Sequence, residues 1–441
     1  MSKDIQNASK FSNSFNFFDY KLIPYVLQDL LLACIMRVFM KKQIAISALI
    51  VLFLIIGTII VIVYGKGYRF SFNGNETILA GTGLLVATSA PNGAQVFIDG
   101  HLTTATDNTI NLAPGDYDIK IFKDGYIPWE KKITVSKETV SKADALLFPT
   151  APQLVSITNI GIGNPVLDPS KTRIAYNVAS QSAVKNGVYV LDMTARPILT
   201  LQNTSTQLAT DAVNAFSTAA ISWSPDSAQL LATIPGLVSP ATYLLQDNGL
   251  NQDPQDVTET IASVNSSWDK LQAEKDKALM DSLVNPLKKV VNENFNILEW
   301  SGDETKILYE ASRSASIPLI ITPRLIGTDS TPEVRDIKKG EIYVYDSKED
   351  RNYKILDAIP VKNELSSPLP IMWYPDSKHL VYVHNGKIDM MEYDAQNQTT
   401  VYAGPFVDGY VFPWPDATKL VILTNLDNPT IAPNLYTIGL K

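Results

Sequence analysis

The chain has 441 residues, a formal net charge of −8 and a single cysteine, Cys34. An acidic surface repels a nucleic-acid backbone, so the expectation is no nucleic-acid partner. One cysteine forbids an internal disulfide, so the fold must stand on its hydrophobic core, and the length provides for a leader plus two or three domains.

Residues 1–43 read as a cytoplasmic leader. Leu22 to Phe39 is apolar but broken by Pro24, Gln28, Asp29 and Arg37, which argues against a second span and suits an interfacial helix. Met40-Lys41-Lys42 also has the form of a bacterial start, a basic region directly before an apolar run, and on that reading the upstream residues precede the natural start. Both readings stay open. Ile44 to Tyr64, IAISALIVLFLIIGTIIVIVY, carries no charge. As a helix it is about 31 Å long, which matches the hydrocarbon core of a bilayer. A buried core helix would be shorter and carry a polar stripe, so residues 44–64 are expected to be a transmembrane signal anchor. Arg37, Lys41 and Lys42 precede it and Lys66 and Arg69 follow, a bias that places the N-terminus inside. Val63, Tyr64 and Lys66 are too bulky for a small-x-small cleavage site, so the anchor is expected to stay uncleaved, with cleavage as the second reading. The first expected partner is therefore the membrane, through Ile44 to Tyr64, with the C-terminal domains extracytoplasmic.

Residues 65–83 read as a juxtamembrane linker with one strand at Tyr68 to Phe72. A compact strand pattern follows over residues 84–150. Leu84 to Thr88 and Gln95 to Ile98 flank Pro91-Asn92-Gly93, and Asp99-Gly100 makes the next turn. Ile110 to Leu112 and Tyr117 to Phe122, with Tyr117, Ile119 and Ile121 on one face, continue the alternation, and Lys132 to Val135 closes it. Pro91-Asn92-Gly93-Ala94, Val96, Ile98-Asp99-Gly100, Leu112-Ala113-Pro114-Gly115-Asp116-Tyr117 and Gly125-Tyr126 resemble the PEGA domain, with Asn92 where that family has Glu. The resemblance implies a small antiparallel β-domain of bacterial and archaeal surface proteins, used as a spacer or adhesion-like module. Taken by themselves, these Gly and Pro residues are turn formers, and none is nominated as a ligand contact.

Past Pro152 a motif repeats. Ser222-Trp223-Ser224-Pro225-Asp226-Ser227 returns as Glu299-Trp300-Ser301-Gly302-Asp303-Glu304, as Met372-Trp373-Tyr374-Pro375-Asp376-Ser377, and shortened as Trp414-Pro415-Asp416-Ala417. An earlier copy without Trp begins at Leu167-Asp168-Pro169-Ser170. Each pairs an apolar strand end with a turn and a second apolar strand, and a further strand follows most of them. Such a unit cannot bury its own faces, whereas several arranged about an axis can, which predicts a β-propeller. The copies are similar to those of TolB-type propellers, but the glycine that ends the family's turn is replaced by Ser227, Glu304, Ser377 and Ala417. Uneven spacing allows five blades or six, with Leu154 to Ile157 lending a strand to the last blade for closure. Between the second and third copies, residues 253–294 form a helical insertion. Val257, Ile261, Val264, Trp268 and Leu271 follow a helical rhythm ending before Pro286, and a second short helix is expected over Leu287 to Val291. Such helices either cap the channel and meet a partner or pack on their own blade.

The whole is expected to be mainly β: an N-terminal transmembrane helix, a small PEGA-like domain, and a propeller over residues 151–441. No catalytic, cofactor-binding or metal site is nominated. Ser182-Ala183-Val184-Lys185 and Ser267-Trp268-Asp269-Lys270 fit Ser-x-x-Lys without its companion motifs. His379 and His384 lie an odd number of residues apart, so on one strand they face opposite sides and cannot share a metal. Gly161-Ile162-Gly163 lacks a third glycine. The repeat tryptophans read as core residues rather than a binding surface. The polar loop Asn425 to Asn428 leaves weak ion binding open. The expected function is a non-enzymatic, membrane-anchored binding or scaffolding protein of the cell envelope, engaging a protein or cell-wall polymer through propeller loops. The alternative is an accessory or gating subunit of a secreted hydrolase, or a degenerate peptidase or glycan-active propeller.

Overall fold

The computed structural model describes residues 22–65, 69–73, 76–194, 205–359 and 369–441, and the leader before Leu22 lies outside them. The chain divides into two compact units, Met1–Thr82 and Gly83–Lys441.

In the first unit a continuous helix, α1, runs over Leu22–Gly65. The separate interfacial helix expected before Met40 is instead the first part of α1. Pro24 does not stop it, because Pro24 sits in the first turn, where backbone N–H groups have no intrahelical acceptor to lose. Within α1, Lys42–Gly65 is long and apolar enough to cross a bilayer, and none of that window is buried by the protein. The segment read as a linker with one strand holds a hairpin, Arg69–Asn73 paired antiparallel with Glu76–Ala80.

The second unit opens with two small sheets. One orders His101–Ala105, Gln95–Ile98, Gly115–Phe122 and Trp129–Val135. The other places Gly83–Ala90 between Asn108–Leu112 and Val140–Leu146, and the last pairing is parallel. Asp99 and Gly100 both have positive φ, 49° and 79°, which matches the twist of a two-residue hairpin. Leu85, Val96, Ile119, Ile121, Trp129 and Ile133 close the core between the sheets. The strand Val140–Leu146 was not anticipated. Its inward residues are Ser141, Ala143 and Ala145, too small to raise the period-2 hydrophobic signal on which strand recognition depends.

Residues 151–441 form five four-stranded antiparallel sheets among the described residues. Sheet I comprises Gly163–Leu167, Arg173–Val178, Gly187–Asp192 and Ser205–Thr210, and sheet II Ala220–Trp223, Gln229–Ile234, Ala241–Gln246 and Gln255–Asp256. Sheet III comprises Phe295–Trp300, Lys306–Ala311, Ile342–Asp346 and Arg351–Leu356, and sheet IV Ile371–Trp373, His379–His384, Lys387–Glu392 and Thr399–Tyr402. Sheet V takes Val411–Pro413, Lys419–Thr424 and Asn434–Gly439, and its outer strand is Leu154–Ser156, paired with Tyr436 to Ile438. The start of the region thus closes onto its end, which is how a propeller removes its free edge. Apolar clusters join I to II, III to IV, IV to V and V to I.

All five repeat copies make one turn. In each, the first residue's N–H bonds to the carbonyl five residues on, as in Ser224 to Gln229, Ser301 to Lys306, Tyr374 to His379, Trp414 to Lys419 and Asp168 to Arg173. The residue three places later donates back, as Ser227 does to Ser224. This places Trp414 at the serine position of its copy, with Pro413 at the tryptophan position. Between sheets II and III stand α2, Ile261–Ser282, which has no buried residue, and α3, Asn285–Asn294, whose Leu287, Val290 and Val291 are buried against Phe295, Tyr309 and Tyr343 of sheet III.

Candidate functional site

Inner strands of sheets I, III, IV and V line an axial cavity of about 370 Å3. Val166 and Leu167 come from sheet I, Ile371, Met372 and Trp373 from sheet IV, and Val411, Phe412 and Pro413 from sheet V. Inner strands alternate like any others, so one apolar set faces the neighbouring sheet and the other faces the axis. The wall also carries one charged pair, Lys171 from the first turn with Glu299 of sheet III, which links sheets I and III. Glu299 Oε2 also accepts from the Trp373 backbone N–H at 2.9 Å, and Glu299 O from Trp373 Nε1 at 3.3 Å. Trp223 Nε1 donates likewise to Val166 O at 3.1 Å. These two indoles are buried and tie neighbouring inner strands together, while Trp300 and Trp414 are half-buried.

A second polar assembly lies where the small domain meets the propeller. Phe148 enters the cluster between sheets IV and V. The connection leaving sheet III at Ser312 runs back along the sheet's outer strand, where Val334 N–H bonds to Asn352 O at 2.7 Å and Ile320 and Ile321 donate to Asp350. It then reaches the small domain, where Ser330 Oγ accepts from Thr134 N at 2.9 Å. Lys131 of the small domain inserts its ammonium among Asp394 at 2.6 Å, Glu392 at 2.9 Å and Asp329 at 3.0 Å. Trp129 Nε1 donates to Glu392, and Thr331 Oγ1 to Asp394.

One ammonium cannot neutralise three carboxylates, and the shifts follow from that. Burial alone would lower the Lys131 pKa, but Glu392, Asp394 and Asp329 outweigh it and raise it. Burial also works against ionised Asp329, yet the Lys131 ammonium holds it below the usual carboxylate value. Burial and the repulsion of Asp329 and Glu392 push Asp394 up, despite Lys131. The cluster therefore sheds its surplus charge by holding a proton on Asp394 more tightly than a free carboxyl would.

Among the described residues no group of three or more His, Cys, Asp or Glu side chains is placed to hold a metal ion. His379 Nδ1 meets Asp376 at 2.6 Å and His384 Nε2 meets Asp389 at 2.8 Å, so each imidazole serves its own carboxylate. Ser182 and Lys185 share a loop hydrogen bond through their backbones, and Ser267 Oγ donates to Ser263 O within α2. Neither serine is brought to a base among the described residues. The Lys131 assembly carried no sequence motif. Although the cavity wall draws Leu167, Lys171, Glu299, Met372 and Trp373 from the repeat copies, those copies marked turns and strands without showing that they would share a cavity.

Residues 82–150 match the family model of the PEGA domain. No curated protein matches the chain. Among solved structures the chain is similar to a putative TolB from Agrobacterium tumefaciens, at 12% identity over 64% of this chain and 74% of that one, with a TM-score of 0.19. TolB from Acinetobacter baumannii shares 14% identity over 74% of this chain and 60% of its own, at a TM-score of 0.17. The β-propeller domain of the trilobed protease from Pyrococcus furiosus shares 10% over 81% and 95%, at 0.19. The propeller itself rests on the sheet order and closure described above. Residues 82–150 are a PEGA domain, carried ahead of a β-propeller in a chain that has, among the described residues, one helix long and apolar enough to span a membrane.

Proposed function

We propose that this chain is a non-enzymatic, membrane-anchored protein of the cell envelope whose propeller holds a partner in its axial cavity. The observation that carries the reading is the character of that cavity: apolar on three sheets, with a single ion pair. Apolar walls with a few placed polar groups suit a protein segment that inserts a hydrophobic side chain, better than a hydrated polysaccharide. The charge bias before the span supports an N-terminus inside, with the PEGA domain and propeller outside the cytoplasmic membrane.

A photo-crosslinking residue placed at Leu369, half-exposed on the cavity wall, tests this in native membranes. The expected result is a discrete protein adduct, lost when Trp373 is replaced by Ala in the same chain while the melting transition persists. Adducts to glycan alone, or none at all, would sink the reading. Added protease should degrade the second unit in intact spheroplasts, and protection there would reverse the orientation. Panels of peptide, ester and glycan substrates should show no turnover by the full-length protein.

A further inference from the structure

A second cavity, also about 370 Å3, opens between the PEGA domain and the propeller, and its walls include Lys142, Lys306, Lys348, Glu349 and Tyr393. Its size falls within the range of small-molecule sites, which favour domain boundaries. Most of its ionic groups are already engaged. Lys131 serves Asp329 and Glu392, and Lys378 serves Asp144. Lys306 differs. Its side chain is 10% exposed, and an ammonium has three N–H donors to place. Among the described residues its one hydrogen bond is to Thr305 Oγ1 at 3.3 Å, and the nearest carboxylate oxygen, on Asp346, stands 3.7 Å away. That oxygen is Oδ2, beyond hydrogen-bond reach of the ammonium, while Oδ1 accepts from the backbone N–H groups of Lys348 and Glu349 at 2.8 and 3.0 Å. The Tyr393 ring lies 4.9 Å below the ammonium, which steadies the cation without filling its donors. Lys142 makes no ion pair among the described residues, and Lys348 reaches only Asp303 at 3.9 Å.

A buried cation with unused donors in a cavity is complementary to an anion, because charge-assisted hydrogen bonds strengthen where water is excluded. Burial, together with Asp346 and Asp329, pushes the Glu349 carboxyl up, so this acid opposes an incoming anion less than an ordinary carboxylate would. We propose that the cavity between the PEGA domain and the propeller binds a small oxyanion, a carboxylate or a phosphate, on the Lys306 ammonium, with Lys142 and Lys348 drawing it in. This site is separate from the axial cavity and stands whatever that cavity holds.

Full-length protein in detergent, titrated with sodium phosphate, sodium glucuronate and uncharged glucose and followed by ligand-observed NMR, tests the assignment. At least one anion should saturate while glucose does not, and Lys306→Met should weaken that binding about tenfold or more. Preference for phosphate assigns the site to phosphorylated ligands, and preference for glucuronate to sugar or peptide carboxylates. The double variant Lys142→Gln/Lys348→Gln alters only exposed side chains and carries the same expectation at smaller size, so the test survives if Lys306→Met does not fold. Failure of both anions to saturate, or affinities unchanged in whichever of these variants folds, would overturn the proposal.

Discussion

Lys171, Ser227, Glu304, Ser377 and Ala417 occupy the fourth position of the five turns, and all hold φ between 55° and 62°. An L-residue in that left-handed region costs roughly 1–2 kcal/mol that glycine does not. The turn is therefore maintained without its best residue, and the serines show one reason. Ser377 Oγ accepts from Asp303 N at 3.0 Å and Ser227 Oγ from Ser170 N at 3.1 Å, each bridging to the turn of another sheet. Ala417 makes no such bridge, so Ala417→Gly should stabilise by about 1 kcal/mol. Ser377→Gly should instead be neutral or destabilising, since an unpaired backbone N–H costs about 1–3 kcal/mol. Denaturant melts of the two variants check this, and equal gains from both would refute the bridging role.

At the same scale the Lys131 cluster predicts a dependence on pH. The folded chain binds a proton on Asp394 more tightly than the unfolded chain, so stability falls as pH rises from the ordinary value of 3.8 through the raised one. Asp329 has the opposite sign: its contribution is present above 3.8 and disappears as pH falls through its depressed value. Lys131 contributes in full below its ordinary 10.5 and loses that contribution as pH rises from there through its elevated value. Asp394→Asn should therefore keep or raise the melting temperature at pH 7, with the difference from wild type shrinking towards pH 4. Lys131→Met should lose about 3–5 kcal/mol by leaving buried carboxylates unpaired. Melting curves across that range separate the two, and equal losses from both variants at pH 7 would show that all three carboxylates are ionised and needed.

Among the elements, the two helices of the insertion have different standing. The amphipathic rhythm of Ile261, Val264, Trp268 and Leu271 marked a helix, but α2 buries none of these residues. The helix α3 seats Leu287, Val290 and Val291 in the core of sheet III. Replacing Ile261–Ser282 by a short flexible linker should leave the propeller folded, whereas Leu287→Ala should cost about 2–5 kcal/mol. Thermal melts decide this. A collapse on removing α2 would mean that its half-buried face holds sheets II and III together. Of the two roles foreseen for the insertion, packing on its own blade is met by α3 and by Met280 near the end of α2, while Lys275 of α2 bonds to Pro225 O beside sheet II.

At the scale of the whole second unit, the PEGA domain is fastened to the propeller rather than strung ahead of it. Phe148 packs between sheets IV and V, Glu130 N–H bonds to Asn397 Oδ1 at 3.0 Å, and the connection from sheet III reaches Thr134. Residues 83–441 should therefore unfold in one cooperative transition. Trp129→Ala, which opens the PEGA core and removes the bond to Glu392, should cost about 3–5 kcal/mol and split the transition in two. Differential scanning calorimetry checks the count, and two transitions in the wild-type protein would refute the coupling.

Local chemistry was legible without coordinates. A charge-free run of membrane length, the Asp99-Gly100 hairpin, and five copies of one turn each depend on contacts within a few residues, and a repeated turn between apolar strands has few ways to bury its faces other than a propeller. The strand Val140–Leu146 escaped notice because its inward residues are small, and α1 was longer than expected because a proline in a first turn breaks nothing. The sites could not be read in this way. Lys131 meets Asp329, Glu392 and Asp394 across some two hundred to two hundred and sixty residues of chain, and Lys171 meets Glu299 across 128. Which charges face one another across such separations is set by how the sheets close about the axis and where the small domain comes to rest, and no periodicity or spacing encodes that. Sequence alone determined the modules; the tertiary structure decided which of their ions are paired, and left Lys306 with donors to spare.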